Sequence, residues 1–247
     1  MPPSPACEVD VSGVGDAKRT AVRSMFTAIA PRYDFLNHLL SLTVDRYWRR
    51  AAVRRLGWEQ RPDGVYLDLC AGTQDLTATL ARSSGFRGRV IAADFVVPML
   101  ALGKSKPGGT RAVGADALTL PFADARFDGA VVAFGVRNLA DLDAGLSEAY
   151  RVLKPGARFV VLEFTTPRFE PLRTVYLFYL RRVLPAIGRA VSKHRDAYTY
   201  LPESVVDFLE PEELARRLTA AGFSNVEYER LTGGICAVHH GTRYGTR

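Results

Sequence analysis

Apolar residues near the start of the chain recur every three to four positions, which is the spacing of an amphipathic helix. Val22, Phe26 and Ile29 form one such group. Residues 19–60 are therefore predicted to form a cap of two or three helices ahead of the first strand. Residues 1–18 are rich in Pro, Gly and Ser and lack the apolar stretch of a signal peptide, so they are predicted to be a flexible leader.

The pattern changes at residue 65. Residues 65–94 indicate a buried strand, a turn at Gly72, an amphipathic helix, and a second strand that ends at Asp94. This arrangement is half of a nucleotide-binding crevice, and an acid at the end of the second strand is placed to bind a ribose hydroxyl. The sequence therefore predicts an adenosine-bearing ligand.

Strands and helices continue to alternate beyond this unit, which is typical of a parallel sheet. The predicted elements are strands at 65–70, 89–94, 111–114, 127–134 and 158–164, helices at 75–83, 97–104 and 141–153, and, after an insertion at about 168–205, a last helix and a closing hairpin. The predicted fold is an α/β domain over residues 61–247, with a doubly wound, seven-stranded, Rossmann-like sheet.

The composition fits one folded domain and limits the class of partner. The chain of 247 residues has 47% hydrophobic and 24% charged residues, and three scattered cysteines. Such cysteines provide neither a disulfide framework nor a C-x-x-C metal site, so we expect a reducing, cytoplasmic location and no bound metal. No apolar run reaches the ~18 residues of a spanning helix. The net charge of +7 leaves nucleic acid and anionic lipid open as partners of the surface.

Carboxylates lie at or near the ends of the predicted strands, at Asp68, Asp75, Asp94 and Asp116. A dinucleotide fold needs a GxGxxG turn to hold pyrophosphate at a helix N-terminus, whereas Asp75 opens this helix and would repel phosphate. The acidic crevice suits a cationic, phosphate-free cofactor such as S-adenosylmethionine, and Asp68 is expected among its contacts. The alternative is that these acids only end strands and favour the helix dipole.

Four blocks of sequence indicate a family more narrowly than the acidic crevice does. They are FTAIAPRYDFLNHLLSL at 26–42, LDLCAGTQDLT at 67–77, a stretch opening with FGVRN at 134–167, and YLPES with LTGGICAVHHG within 198–241. In these blocks the chain resembles the C-methyltransferases of demethylmenaquinone and ubiquinone biosynthesis, which are class I S-adenosylmethionine-dependent methyltransferases. The resemblance implies methylation of the ring of demethylmenaquinol, and in some organisms of a ubiquinol precursor, so the substrate would be a lipophilic polyprenyl quinol.

The same resemblance implies where the cofactor binds. Thr73 would contact it, with Gly72 of the same turn also a candidate cofactor contact, and Asp94 would bind the ribose hydroxyls. Asp116 would accept from the adenine amine, with Ala117 beside the ring.

Two residues depart from the usual family pattern. Gln74 replaces a glycine of the turn, so either its backbone angles are ordinary or the loop is reshaped, because a side chain at positive φ is costly. Ala133 replaces a residue with a hydroxyl, which removes one hydrogen bond to the cofactor, on the order of 1 kcal/mol. Both changes bear on cofactor affinity.

Arg137 and Asn138 follow the fourth strand and are the candidate catalytic residues. A quinol ring carbon attacks a methyl group best as a phenolic proton leaves, and a guanidinium stabilises phenolate charge or orients the water that accepts the proton. Asn138 is placed to bind a ring oxygen. The alternative for Arg137 is a structural salt bridge with Asp141 or Asp143.

Tyr33 and Asn37 in the cap, and Tyr200 in the insertion, are candidate substrate contacts, although Tyr33 equally fits a core aromatic. The stretch 172–191 mixes bulky apolar residues with arginines, so it fits either peripheral contact with the inner face of a membrane or a buried cap or dimer helix. The sequence does not decide between a monomer and a homodimer. Nucleic acid is not expected as a partner, because no basic tract or aromatic stacking platform is evident. The rival functions are a non-catalytic protein of the same fold and a methyltransferase of another small molecule or nucleic acid.

Overall fold

The computed structural model describes residues 15–34, 41, 43–109, 111–186 and 196–245. Within these ranges seven strands form one sheet: β1 (Val65–Leu69), β2 (Arg89–Asp94), β3 (Ala112–Gly114), β4 (Phe127–Ala133), β5 (Leu153–Phe164), β6 (Phe223–Leu231) and β7 (Cys236–Arg243). Their order is β3-β2-β1-β4-β5-β7-β6. Strands β1 to β5 pair in parallel, and β7 runs antiparallel to both β5 and β6. The predicted seven-stranded, doubly wound sheet with its closing hairpin is confirmed.

Helices flank the sheet and precede it. They are α1 (Asp16–Ile29), α2 (Asp45–Arg55), α3 (Asp75–Ala81), α4 (Val97–Gly103), α5 (Leu142–Val152), α6 (Glu170–Phe178), α7 (Asp196–Val206) and α8 (Pro211–Ala220), and a π-helical turn, Tyr179–Val183, follows α6 directly. Helix α1 begins inside the stretch that the sequence assigned to the leader. The proposed limits of the cap and of the insertion at 168–205 stay predictions. None of the helices in the described part of the chain has both the length and the apolarity of a bilayer-spanning segment.

Both faces of the central strands are buried, because successive side chains of a strand point to opposite faces. On one face Ala130 and Phe159 join a core cluster that includes Leu146 of α5 and Leu214 of α8. On the other face Val131 packs into a second cluster formed largely by α2, α3 and the neighbouring strands. This two-sided burial explains why β1, β2 and β4 are nearly continuous apolar runs in the sequence.

The predicted start of the fifth strand, at residue 158, is wrong. Leu153 is fully buried and already pairs with Phe127 of β4, and pairing resumes between Arg158 and Gly129 after a bulge. Gly156 sits in that bulge with φ 79°. The strand therefore starts directly after α5, ahead of Pro155 and Gly156.

The carboxyl edge of the sheet contains several residues in the left-handed region. Cys70, after β1, has φ 53°, and Phe134, after β4, has φ 59°. Such conformations in residues other than glycine cost on the order of 1–3 kcal/mol and cluster at functional sites. The two adjacent strands therefore end in sharp turns at the edge where an open α/β sheet binds its ligands.

Candidate active site

A crevice opens at the carboxyl ends of β1, β2 and β4. Its lining consists of Arg19, Leu69, Cys70, Ala93, Asp94, Phe95, Ala115, Asp116, Ala117, Leu118, Asn138, Leu139 and Ala140. The structure thus brings together Asp94, Asp116, Ala117 and Asn138, four of the residues that the sequence selected. The open space is about 20 Å³, far below the ~300 Å³ at which ligand pockets begin.

The carboxylate of Asp94 fixes the glycine turn to the end of β2. Its Oδ2 accepts from the Gly72 amide at 2.8 Å, and its Oδ1 accepts from the Val96 amide at 2.8 Å. Burial raises the pKa of Asp94, and these backbone bonds oppose the rise. Because each carboxylate oxygen has further acceptor capacity, Asp94 can still take a hydroxyl donor from the crevice.

Asp68, which the sequence placed among the cofactor contacts, does not line this crevice. Its Oδ2 accepts from both the amide and the hydroxyl of Thr77, at 2.9 and 2.7 Å. The side chain is turned to the first part of α3, where burial raises its pKa to about 7 despite the two bonds. Asp68 therefore joins the strand to the helix behind the turn.

Thr73 is also directed away from the crevice. Its hydroxyl donates to Asp34, which follows α1, and Lys106 donates to Asp34 and to Asp75, each at 2.6 Å. The Thr73 side chain thus ties the turn to the cap. Neither Asp34 nor Lys106 was predicted, because their sequence surroundings do not show which strand turn they meet.

Gln74 retains a glycine-like backbone, with φ 67° and ψ 33°. Its side chain is fully buried, and Nε2 donates to the Leu100 carbonyl at 2.7 Å. Gly103 leaves room for it, since a Cβ there would lie 2.7 Å from Gln74 Cγ. The expectation of ordinary backbone angles is wrong: one buried hydrogen bond and close packing hold the left-handed residue, and the side chain points away from the crevice. Ala133 packs with the core and does not line the crevice.

Helix α1 covers the crevice with two basic side chains. Arg19 forms an ion pair with Asp116, and Lys18 Nζ donates to the Leu139 carbonyl at 2.7 Å and to the Arg137 carbonyl at 3.3 Å. Sequence reasoning missed both, although consecutive cations on a cap helix beside an acidic crevice were a usable signal. These contacts account for the small open space.

A second, apolar cavity of about 440 Å³ lies beside the crevice, between the cap, α6, α7 and the ends of β4 and β5. Phe134 and Phe164 stack with ring centroids 4.3 Å apart, and Trp48 meets each of them edge-on at 6.2 and 6.0 Å. Tyr33 and Tyr200, the two candidate substrate contacts among the described residues, both line the cavity. Tyr33 also packs edge-on against Phe26, with centroids 5.9 Å apart. Asn37 lies outside the described residues.

Arg137 lines the cavity and is held by a buried network. Its Nη1 donates to Glu163 Oε1 at 2.7 Å and to the Phe134 carbonyl at 2.6 Å, and its Nε donates to Ser204 Oγ at 3.3 Å. Burial is the largest single influence and lowers the pKa of Arg137, but the charge and hydrogen bond of Glu163 together with Tyr200 and Tyr33 raise it by more, so the guanidinium is cationic.

The alternative partners of Arg137 are wrong. Asp141 caps α5 by accepting from the Ala144 amide at 3.0 Å, and Asp143 pairs with Arg217. The actual partner, Glu163, was missed. An acid inside the apolar run of β5 was the available signal, because a buried carboxylate needs a counter-charge.

Asn138 connects the two spaces. It lines the crevice, its Nδ2 donates to the Phe134 carbonyl at 3.2 Å, and its Oδ1 accepts from the Tyr200 hydroxyl at 2.7 Å. Burial raises the pKa of Tyr200, so this phenol keeps its proton and remains a donor. Arg137 and Asn138 thus form a wall with an acidic crevice on one side and an aromatic cavity on the other.

Comparison with known proteins decides the family. A profile of the ubiE/COQ5 methyltransferase family matches residues 14–243. The chain belongs to this family. The resemblance noted from the four sequence blocks is confirmed, and with it the class of enzyme, a C-methyltransferase that depends on S-adenosylmethionine.

Named relatives cover almost the whole chain. A demethylmenaquinone methyltransferase of Thermus thermophilus is 49% identical over 89% of this chain and 100% of its own, and one of Streptomyces avermitilis is 45% identical over 92% and 96%. A ubiquinone/menaquinone biosynthesis C-methyltransferase of Geotalea daltonii is 41% identical over 92% and 97%.

Solved structures show the fold. A methyltransferase of Thermotoga maritima that depends on S-adenosylmethionine superposes with a TM-score of 0.64 at 20% identity, covering 89% of this chain and 98% of its own. The cyclase SpnF superposes with the same TM-score of 0.64 at 15% identity, covering 91% and 95%. Because a cyclase shares this architecture, the fold alone does not determine the reaction.

Proposed function

We propose that the protein transfers a methyl group from S-adenosylmethionine to a ring carbon of demethylmenaquinol, forming menaquinol. The observation that carries the proposal is the wall of Arg137 and Asn138, since it separates an acidic crevice from an apolar, aromatic-lined cavity of about 440 Å³. Methyl transfer between a polar cofactor and a lipophilic ring needs two such spaces in contact. The names of the relatives in Thermus and Streptomyces support this choice of substrate.

The crevice residues fit the chemistry of the cofactor. Asp94 would take the ribose hydroxyls, and Asp116 would accept from the adenine amine beside Ala117. In the structure, the Arg19 guanidinium pairs with the Asp116 carboxylate and so takes the place that the adenine amine would occupy. When bound, S-adenosylmethionine supplies a methyl group activated by the adjacent sulfonium. The fit requires the Arg19 side chain to leave the crevice.

The cavity residues fit a quinol with an isoprenoid tail. A planar ring can pack on the aromatic cluster of Trp48, Phe134 and Phe164, which gives the contact that aromatic groups prefer. Another part of the lining is aliphatic, where Leu180, Leu184, Val205 and Ile235 belong to one hydrophobic cluster. The polar ring therefore lies toward Arg137, and the tail lies in the aliphatic part.

Arg137 provides the charge that the reaction needs. A quinol hydroxyl beside a buried guanidinium loses its proton to water more readily, because the phenolate is stabilised where little solvent competes. Nη1 and Nε of Arg137 are already bonded, which leaves Nη2 for the ring oxygen. Asn138 and Tyr200 keep the wall in place through their hydrogen bond.

The alternative of a non-catalytic protein with the same fold is weakened by the position of Gln74. Gln74 is one of the two departures that bear on cofactor affinity, yet its side chain is directed to Leu100 and not into the crevice. The proposal extends to a cytoplasmic enzyme in peripheral contact with the membrane, because the substrate's tail resides in lipid. A homodimer remains compatible with it.

Deletion of the gene in its host tests the function. We expect a quinone that lacks one methyl group to accumulate, as read by mass spectrometry, and the wild-type gene to restore the mature quinone. A gene carrying Arg137→Lys should restore little of it. Quinones of unaltered mass in the deletion strain would overturn the proposed function.

A further inference from the structure

Helix α6 exposes large apolar side chains to solvent. Phe169, directly before the helix, is 69% exposed, Val175 is 65% exposed, and Phe178 is 62% exposed. Val175 and Phe178 are three residues apart and so share one face of the helix, and Phe169 lies at its N-terminus. Several large apolar side chains exposed on one helix are typical of an interaction site, whereas single exposed apolar residues are common.

The other side of the same helix lines the substrate cavity. Tyr176 is buried and lines the cavity, and Leu180 in the following π-helical turn does the same. Val175 both lines the cavity and is largely exposed, so it lies at the cavity's mouth. The exposed apolar surface is therefore continuous with the space that takes the isoprenoid tail.

The charge around this surface is positive. Arg173 pairs with Glu170 at 2.9 Å, and Arg168 pairs with Glu212. Arg181 and Arg182 follow on the π-helical turn, and neither has a carboxylate within 4.0 Å among the residues that the structure describes.

We propose that this face of α6, defined by Phe169, Val175, Phe178, Arg181 and Arg182, is a docking surface for an anionic lipid bilayer. The apolar side chains enter the boundary between headgroups and acyl chains, and the two arginines contact lipid phosphates. The quinol tail passes from the bilayer into the cavity beside Val175. This last step rests on the proposed function, whereas the docking does not.

Vesicle sedimentation tests the docking. We expect the full chain to sediment with vesicles that contain phosphatidylserine at least tenfold more than with vesicles of phosphatidylcholine alone, and high salt to reduce the difference. The double variant Phe169→Ser with Phe178→Ser should lose at least tenfold in binding. Arg181→Gln with Arg182→Gln should lose most of the preference for anionic vesicles.

Tyr244→Ser is the matched control, because Tyr244 is an aromatic residue 66% exposed at another place on the surface. It should bind vesicles within twofold of the wild type. The thermal midpoint of each variant shows that it is folded. Equal binding by the double variant and the control, or no binding by the wild type, would overturn the proposal, as would a dimer that the double variant converts to a monomer.

The activity of the double variant separates docking from catalysis. On a water-soluble quinol with a short tail, we expect its rate to stay within twofold of the wild type, whereas on quinol embedded in anionic vesicles it should fall at least tenfold. A wild type that binds vesicles but methylates neither substrate would end the proposed function and leave the docking surface intact.

Discussion

Glu163 Oε1 accepts a hydrogen bond from Arg137 Nη1 at 2.7 Å, and the two side chains are only 2% and 6% exposed. Glu163 also accepts from the Phe164 amide at 2.9 Å, so its position on β5 is fixed. A buried charge held in this way is oriented before any substrate arrives. The pair thus places one cation at the wall between cofactor and quinol. Burying two charges costs desolvation free energy, and an apolar pair at this place would stabilise the fold at least as well.

Arg137→Lys should lower the rate of methyl transfer about 100-fold, the usual loss when one donor to a developing oxyanion is removed. The lysine keeps a positive charge near Glu163 but loses the fork that reaches both protein and substrate. Because the Arg137 side chain does not line the crevice, the Kd for S-adenosylmethionine, measured by calorimetry, should stay within twofold. Arg217→Lys, in an exposed ion pair with Asp143, is the control and should change neither value. A variant with full activity would remove Arg137 from the mechanism.

Arg19→Ala should tighten binding of S-adenosylmethionine about two- to fivefold, because Arg19 competes with the adenine amine for Asp116. The range corresponds to about 0.4–1 kcal/mol, which is within what a partly exposed ion pair contributes. In an Asp116→Ala background the same substitution should have no effect, and this double-mutant cycle isolates the pair. Arg23→Ala, one turn later on α1 and exposed, is the control. Weaker binding by Arg19→Ala would mean that Arg19 holds the cofactor instead of competing with it.

Gln74→Gly should leave the Kd for S-adenosylmethionine within about twofold, because the Gln74 side chain does not enter the crevice. The substitution relieves a left-handed conformation worth about 1–2 kcal/mol and removes a buried hydrogen bond worth about 1 kcal/mol. The cavity left by this fully buried side chain adds to the lost hydrogen bond, so the free energy of unfolding, measured in denaturant, should fall by about 2 kcal/mol. Tenfold tighter binding would show that Gln74 restricts the crevice after all.

His239 should make the protein less stable in acid. Its Nε2 lies 2.9 Å from the Pro211 carbonyl, and burial lowers its pKa from 6.5 to about 4. Between these values the unfolded chain binds a proton that the folded protein does not, so the free energy of unfolding is fully present above pH 6.5 and falls as the pH drops to about 4. The loss is about 3 kcal/mol. His239→Gln keeps an N–H donor for Pro211 and should flatten this part of the pH profile of unfolding. An unchanged slope in the variant would assign the acid sensitivity to other groups.

The sequence predicted the strands and helices whose apolar residues repeat at a regular spacing. Alternating apolar strands and helices placed β1 to β4 within one or two residues of their observed limits, because buried parallel strands are apolar throughout. Asp94 and Asp116 were found for the same reason, since the carboxyl ends of parallel strands meet at one edge.

Contacts between distant elements were not predictable from such patterns. Asp68 ends a strand as Asp94 does, yet its side chain is directed to Thr77, and the period-two alternation does not specify which acid faces the crevice. Glu163 was evident only as an acid in an apolar run, without its partner. The docking of α1, which brings Arg19 to Asp116, depends on how a cap helix packs on the sheet.

The transfer itself is tested most directly with S-adenosylmethionine that carries a trideuterated methyl group. Purified protein is incubated with demethylmenaquinone in reduced and in oxidised form, and the products are read by mass spectrometry. We predict one trideuterated methyl group on a ring carbon of the reduced substrate, S-adenosylhomocysteine in equal amount, and no product from the oxidised form, whose ring carbon is not nucleophilic. Binding of S-adenosylmethionine without label in the reduced quinol would contradict the account.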